Sequence, residues 1–355
     1  MLDSAGSVRR DSNMKKMIAV LALFAILLSL VSCQQSEKFD IAETTDIVLG
    51  NEVDSVVLVT VEGEEITCNN GADFYEIFDK VSLTSGAETK YSCVAETKLG
   101  DDSKSHTNMN FYGLANNGWF FELTTQKEGE DAFASFERYS YSEVLPNQVI
   151  ERYTFQKCVY KEEKAFGGMV IDANGKNTLY GSDTYPFDSV TDTELYEMQG
   201  RADHLTVFIF SLLDKKLFQN CELFEVDNKT YDLNQFVTRE YTLYENYIVF
   251  KQTAPFLNLM KNISTSGLSG YMVSMYEACL NTDVSITLEA YCNVKTGKIE
   301  LVKVYGDTLW YAPQYFDQKM EVNITCYIQD VSESESERKI NKLIEYVKSN
   351  SDFED

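Results

Sequence analysis

From residue 50 onward, apolar and polar positions alternate in short runs separated by breaks rich in Gly and Asn. A period of two sends successive side chains to opposite faces, so these runs predict half-buried β-strands. The run 55–61 reads as a strand, turned at Glu62 and Gly63 and paired back through 64–68. Residues 108–114 and 119–125 predict a hairpin about Asn116, Asn117 and Gly118. Residues 169–172 and 178–180 predict another, closed by a type I′ turn at Asn174 and Gly175. Later runs at 241–252, 284–294, 299–305 and 321–328 predict a long antiparallel meander, its middle pair joined by a tight turn at 295–298.

The period changes in three places. Phe74, Ile77, Phe78 and Val81 fall at helical spacing, as do Leu205, Phe208, Ile209 and Leu212 within 193–216, and Ile340, Leu343, Ile344 and Val347 within 337–348. Each stripe suits a helix laid against a sheet. The Ser/Glu run 332–337 reads as a solvated connector, and 132–155 is too mixed in period to assign. The elements together predict an α+β fold, mainly antiparallel β-sheet with a few packed helices. At typical domain sizes the length suggests a small α+β domain over 51–165 and a domain of antiparallel sheet plus helix over 166–355.

The first fifty residues have a different pattern. Lys15 and Lys16 follow Met14, and residues 18–30 are apolar apart from Ser29. A membrane-spanning helix needs about 20 apolar residues; this run is shorter and reads as the core of an export signal. Residues 1–32 are then a removable leader, with Met14 the better start. The tetrad Leu30-Val31-Ser32-Cys33 closes the run and resembles the lipobox of bacterial lipoproteins. That resemblance implies that Cys33 is lipidated and becomes the mature N-terminus, and that its acyl chains (palmitate or similar) are the whole attachment to the cell membrane, facing the extracytoplasmic side. Stable anchoring takes more than one chain, which the diacylglyceryl group of that class supplies. Gln34 follows Cys33, so the Asp that retains some lipoproteins in an inner membrane is missing. Residues 33–50 are polar enough to serve as a flexible tether.

Charge and cysteine content narrow the function. The chain carries a formal charge of −25 at pH 7. Loss of 1–32 removes four cationic side chains and two acidic ones, leaving a still more acidic surface. Such a surface repels phosphate backbones and anionic head groups, which excludes nucleic acid as a partner. Beyond Cys33 the cysteines are Cys68, Cys93, Cys158, Cys221, Cys279, Cys292 and Cys326. No two are spaced as C-x-x-C, so zinc and thioredoxin-like motifs are absent, and the scattered spacing suits individual buried thiols. Asp172-x-Asn174-Gly175 lacks the later ligands of an EF-hand. No metal or cofactor is expected.

Catalytic signatures are missing too. The histidines are His106 and His204; no H-E-x-x-H, phosphate loop or G-x-G-x-x-G occurs. Gly267-Leu268-Ser269-Gly270 departs from the G-x-S-x-G elbow. The chain is therefore expected not to be an enzyme. Its later part, ending in "YCNVKTGKIELVKVYGD" and "MEVNITCYIQD", resembles the LolA/LppX-like lipoprotein fold over about 195–330. That resemblance implies a curved half-barrel wrapped around helices, enclosing an apolar cavity. The leading expectation is a non-enzymatic module that holds a lipid or other apolar or amphipathic ligand, with Tyr241, Tyr244, Tyr247, Phe250 and Phe256 as candidate lining. The alternative is an envelope interaction or assembly factor that binds a protein partner on an exposed face.

Overall fold

The computed structural model describes residues 47–83, 88–99, 103–114, 118–127, 135–145, 150–160, 163–181, 224–226, 229–231, 237–255, 285–309 and 319–350. The first strands are β1 (Ser55–Val59) and β2 (Glu65–Asn69), followed by the short helix α1 (Phe74–Phe78). Seven strands come next: β3 (Thr89–Leu99), β4 (Ser103–Gly113), β5 (Trp119–Lys127), β6 (Ser135–Val144), β7 (Ile150–Tyr160), β8 (Glu163–Ile171) and β9 (Asn177–Gly181). A small hairpin, β10 (Phe224–Val226) with β11 (Lys229–Tyr231), precedes β12 (Thr238–Leu243), β13 (Tyr247–Pro255), β14 (Ser285–Asn293), β15 (Lys298–Leu309) and β16 (Lys319–Asp330). Helix α2 (Glu333–Asn350) ends the described chain.

Twelve strands share one antiparallel sheet in the order β12-β13-β14-β15-β16-β3-β4-β5-β6-β7-β8-β9. β12 and β9 are its edges, so the sheet is open and not closed into a barrel. Each half is a meander of sequential neighbours; the joint between them is the pairing of β16 with β3. The strand content and the packed helices agree with the expected mainly antiparallel architecture. The expected boundary at 165/166, however, falls inside β8, and β16 pairs with β3 across it. The described parts of both segments therefore share one sheet, and residues Thr44–Asp355 form one compact unit.

Register gives the sheet two unlike faces. One row of directly opposed residues runs Phe250, Ala290, Val302, Cys326, Cys93, Met109 and Leu123 across β13 to β5. None of them is more than 1% exposed, so this inner face carries the core. Phe74 and Phe78 of α1 stack edge-on against Phe250 at 5.5 and 5.1 Å, which seats α1 on the same face. The opposite row runs Val249, Tyr291, Leu301, Tyr327, Ser92, Asn110, Glu122 and Tyr139. On its β3–β8 side this outer face is covered by α2: Ile340 and Ile344 pack on Tyr112, Phe120, Tyr141 and Tyr153. Lys339 also reaches the buried carboxylate of Glu122 at 3.1 Å.

Several expectations are corrected. The run 241–252 is two strands: Tyr244 N–H donates to Tyr247 O, closing a two-residue turn at Glu245 and Asn246. That turn lacks Gly or Pro and is held by the chain ahead of β1: Asn246 N–H donates to Leu49 O, and Glu245 accepts from Asn51. The 332–337 run is mostly the first turn of α2. Glu333 and Glu335 sit where the helix dipole favours acids, and Ser336 is buried and donates to Glu88. The Asn174-Gly175 turn is a three-residue loop with Gly175 at φ 79°, Asp172 N–H donating to Lys176 O and the Asp172 carboxylate accepting from the amides of Asn174 and Lys176. β3 was not foreseen, and β6 and β7 fill part of the unassigned 132–155. The predicted helix over 193–216 lies outside the described residues.

Candidate functional site: the outer tyrosine and carboxylate face

The candidate pocket aromatics do not converge. Phe250 is fully buried in the core on the inner face. Tyr241, on the same face, donates its hydroxyl to Asn69 O or Ala72 O (2.9 and 3.0 Å), tying edge strand β12 to the end of β2 and the start of α1. Tyr247 points to the outer face and donates to Glu300 at 2.8 Å. Tyr244 sits at the β12–β13 turn, bridged through its backbone to Glu52. Phe256 lies outside the described residues. The four described members are thus structural ties on two faces of the sheet.

A different set of residues comes together on the outer face of β12 to β16. Tyr291 and Tyr305 both donate to Glu289, to separate carboxylate oxygens and each at 2.8 Å. Lys303, opposite Glu289 across β14–β15, lies with its ammonium 5.2 Å from the Tyr291 ring centroid. Lys251 stands opposite Glu289 on the other side and pairs with Glu240 at 3.3 Å. The row Glu240, Lys251, Glu289, Lys303 alternates in sign across four strands, the favourable arrangement for directly opposed side chains. Tyr305 is 37% exposed, while Tyr291 belongs to a buried cluster with Tyr247 and Leu301, against which Ile47 and Leu49 pack.

Burial first, and then the hydrogen-bonded carboxylates, raise the pKa of these phenols. Partial burial, then the bond to Glu289 and its charge, pushes Tyr305 up to about 12 and raises Tyr291 as well. Burial and the bond to Glu300 push Tyr247 up to about 12. The rings are fixed, neutral and flanked by paired charges, a surface suited to contact and not to proton transfer. Sequence reasoning passed over Glu289, Tyr291, Lys303 and Tyr305. The 295–298 turn alone would set 289 opposite 302; a bulge at Glu300 shifts the register by one and brings 289 opposite 303, and that bulge had no signal in the sequence pattern.

Among the described residues no three His, Cys, Asp or Glu side chains are grouped to hold a metal ion, and no helix is long and apolar enough to cross a membrane. His106 is half-exposed beside Glu96, whose carboxylate is held low by its hydrogen bond to Lys104 at 2.7 Å. His204, the 267–270 string and Cys33 lie outside the described residues. Cys68, Cys93, Cys292 and Cys326 are buried free thiols. No known protein family matches this chain, and no curated protein shows significant similarity to it.

Proposed function

We propose that this protein is a lipid-anchored, extracytoplasmic interaction module that binds a protein partner on the outer face of β12 to β16. The observation that carries the reading is the pair of tyrosines pinned through Glu289 beside Lys303, with Tyr305 exposed. Tyrosine contributes large amphipathic contact area and is enriched in protein interfaces. A ring already fixed by a short bond to a carboxylate loses little rotamer freedom on binding, which reduces the entropic cost of association. The acidic whole and the paired charges along the row fit a polar rim around such a contact. Attachment through lipid on Cys33 follows from the lipobox resemblance and holds the module at the envelope.

The second reading, an apolar or amphipathic ligand held within a LolA/LppX-like half-barrel, is favoured by the unbroken apolar row of the inner face from Phe250 to Leu123. Native mass spectrometry of the full-length protein, released gently from its own envelope beside a Tyr305→Ala/Lys303→Glu variant, separates the two. The interaction reading predicts a co-purifying protein that the variant loses. A lipid-sized mass retained by both proteins, with no protein companion, supports the ligand reading and overturns the first. The same spectra check the anchor: the mature chain should begin at an acylated Cys33, and an unmodified N-terminus elsewhere contradicts it.

A further inference from the structure

The joint between the two meanders contains two thiols. Cys93 on β3 and Cys326 on β16 are directly opposed in the register. Their sulfurs lie 2.7 Å apart, and the residues are 1% and 0% exposed. Directly opposed residues of an antiparallel pair have Cα atoms about 4.5 or about 5.5 Å apart, depending on their place in the hydrogen-bond ladder. Disulfides span Cα separations of about 4.4–6.8 Å. Either class of site therefore admits an S–S bond without separating the strands. Cys68 and Cys292 are engaged elsewhere, Cys68 with Ile66 O and Cys292 with Asn293 O.

Position adds a reason for the bond. Every other pairing in the large sheet joins strands that follow one another among the described elements, whereas β16 meets β3 with the two cysteines 233 positions apart in the chain. A cross-link that closes so long a loop constrains the unfolded chain far more than one within a hairpin does. We propose that Cys93 and Cys326 form a cross-strand disulfide that staples β3 to β16 and so joins the two meanders. The proposal rests on the export reading for its oxidising compartment.

The chemistry balances by thiol–disulfide exchange with a disulfide donor, either a small disulfide such as oxidised glutathione or a disulfide-bonded oxidoreductase. The thiolate of one cysteine attacks a donor sulfur, forms a mixed disulfide and expels one donor thiolate. The thiolate of the second cysteine attacks the first cysteine's sulfur, forming the Cys93–Cys326 bond and expelling the other donor thiolate. The protein gives up two electrons and two protons, and the donor becomes two thiols. In the folded sheet, burial pushes the Cys93 thiol up, and only thiolates react. Exchange therefore belongs to the moment when β16 docks on β3, before the pair is covered.

The test is to refold the full chain from denaturant in a glutathione redox buffer and, separately, under dithiothreitol. Each sample is then unfolded, alkylated and mapped by mass spectrometry. A peptide pair linked through Cys93 and Cys326, lighter by two hydrogens, is expected only in the glutathione sample, with a higher urea midpoint that returns to the reduced value on reduction. The Cys93→Ala/Cys326→Ala variant should have one midpoint in both buffers. Alkylation of both thiols after oxidative refolding, or pairing of Cys93 with another cysteine, overturns the proposal. Acid-quenched alkylation of intact cells separates the two premises. The linked peptide in cells supports the bond and the export; free thiols in cells beside a linked peptide in vitro overturn the bond in the living cell and trace the failure to compartment, not geometry.

Discussion

Tyr91 occupies the inner face of β3 two residues before Cys93, fully buried, and its hydroxyl has no hydrogen-bond partner. A buried unsatisfied hydroxyl costs about 1–3 kcal/mol, while the ring itself packs edge-on against Phe111 at 6.0 Å. Tyr91→Phe keeps the ring and removes the orphan, so it should leave stability unchanged or raise it by up to about 1–3 kcal/mol, read from the urea midpoint. Tyr305 shows the opposite case, a hydroxyl with a partner. Partial burial and the bond to Glu289 raise its folded-state value to about 12, above the ordinary 10.0. The folded protein thus keeps this proton where the unfolded chain releases it. The associated stability is complete below pH 10 and is lost between about 10 and 12. Glu289→Gln removes the carboxylate's charge, so tyrosinate absorbance should develop at lower pH than in the wild type. An unchanged alkaline titration would contradict the geometry of the outer face.

Gly297, in the turn between β14 and β15, shows how one element holds another. Its φ is 65°, and a Cβ there would meet Val59 O at 2.7 Å and Thr60 Cα at 2.9 Å. The same turn anchors the β1–β2 hairpin and the segment after α1: Val59 N–H donates to Val294 O, and Ser82 N–H donates to Gly297 O. Gly297→Ala combines a left-handed backbone, worth about 1–2 kcal/mol, with a clash against backbone that has no flexible end to yield. Hydrogen exchange should quicken at Val59 and Ser82 well before it does at the centre of β15. Uniform exchange across both would show that the hairpin docks by other contacts.

The tight 295–298 turn, the β1–β2 hairpin and the stripes of α1 and α2 were legible because each couples a clean period to a Gly or to charged ends. The β12–β13 hairpin was hidden by a turn of Glu245 and Asn246 whose order comes from distant Leu49 and Asn51. β6 was hidden because its inner positions carry Arg138, Ser140 and Ser142 while Tyr139 and Tyr141 face outward toward α2. That arrangement inverts the usual alternation. The joint of β16 with β3 had no local signal at all, since it depends on contacts between residues far apart in the chain.

At the scale of the whole molecule, two meanders meet in one open sheet with an inner face that carries an apolar row from β13 to β5 and a divided outer one. α2 covers the outer face over β3–β8, with Ile340 and Ile344 on four aromatic rings and Lys339 on Glu122. Over β12–β16 the same face carries the tyrosine and carboxylate ladder, the face proposed to bind a protein partner. The most direct test puts a photo-crosslinking amino acid at Tyr305 in the full-length chain, in its native cells, with Asn341 on the exposed side of α2 as control. A light-dependent adduct to one discrete protein is expected from position 305, absent from 341 and lost when Lys303→Glu is added. No adduct from 305, or equal adducts from both positions, would contradict the proposed binding face.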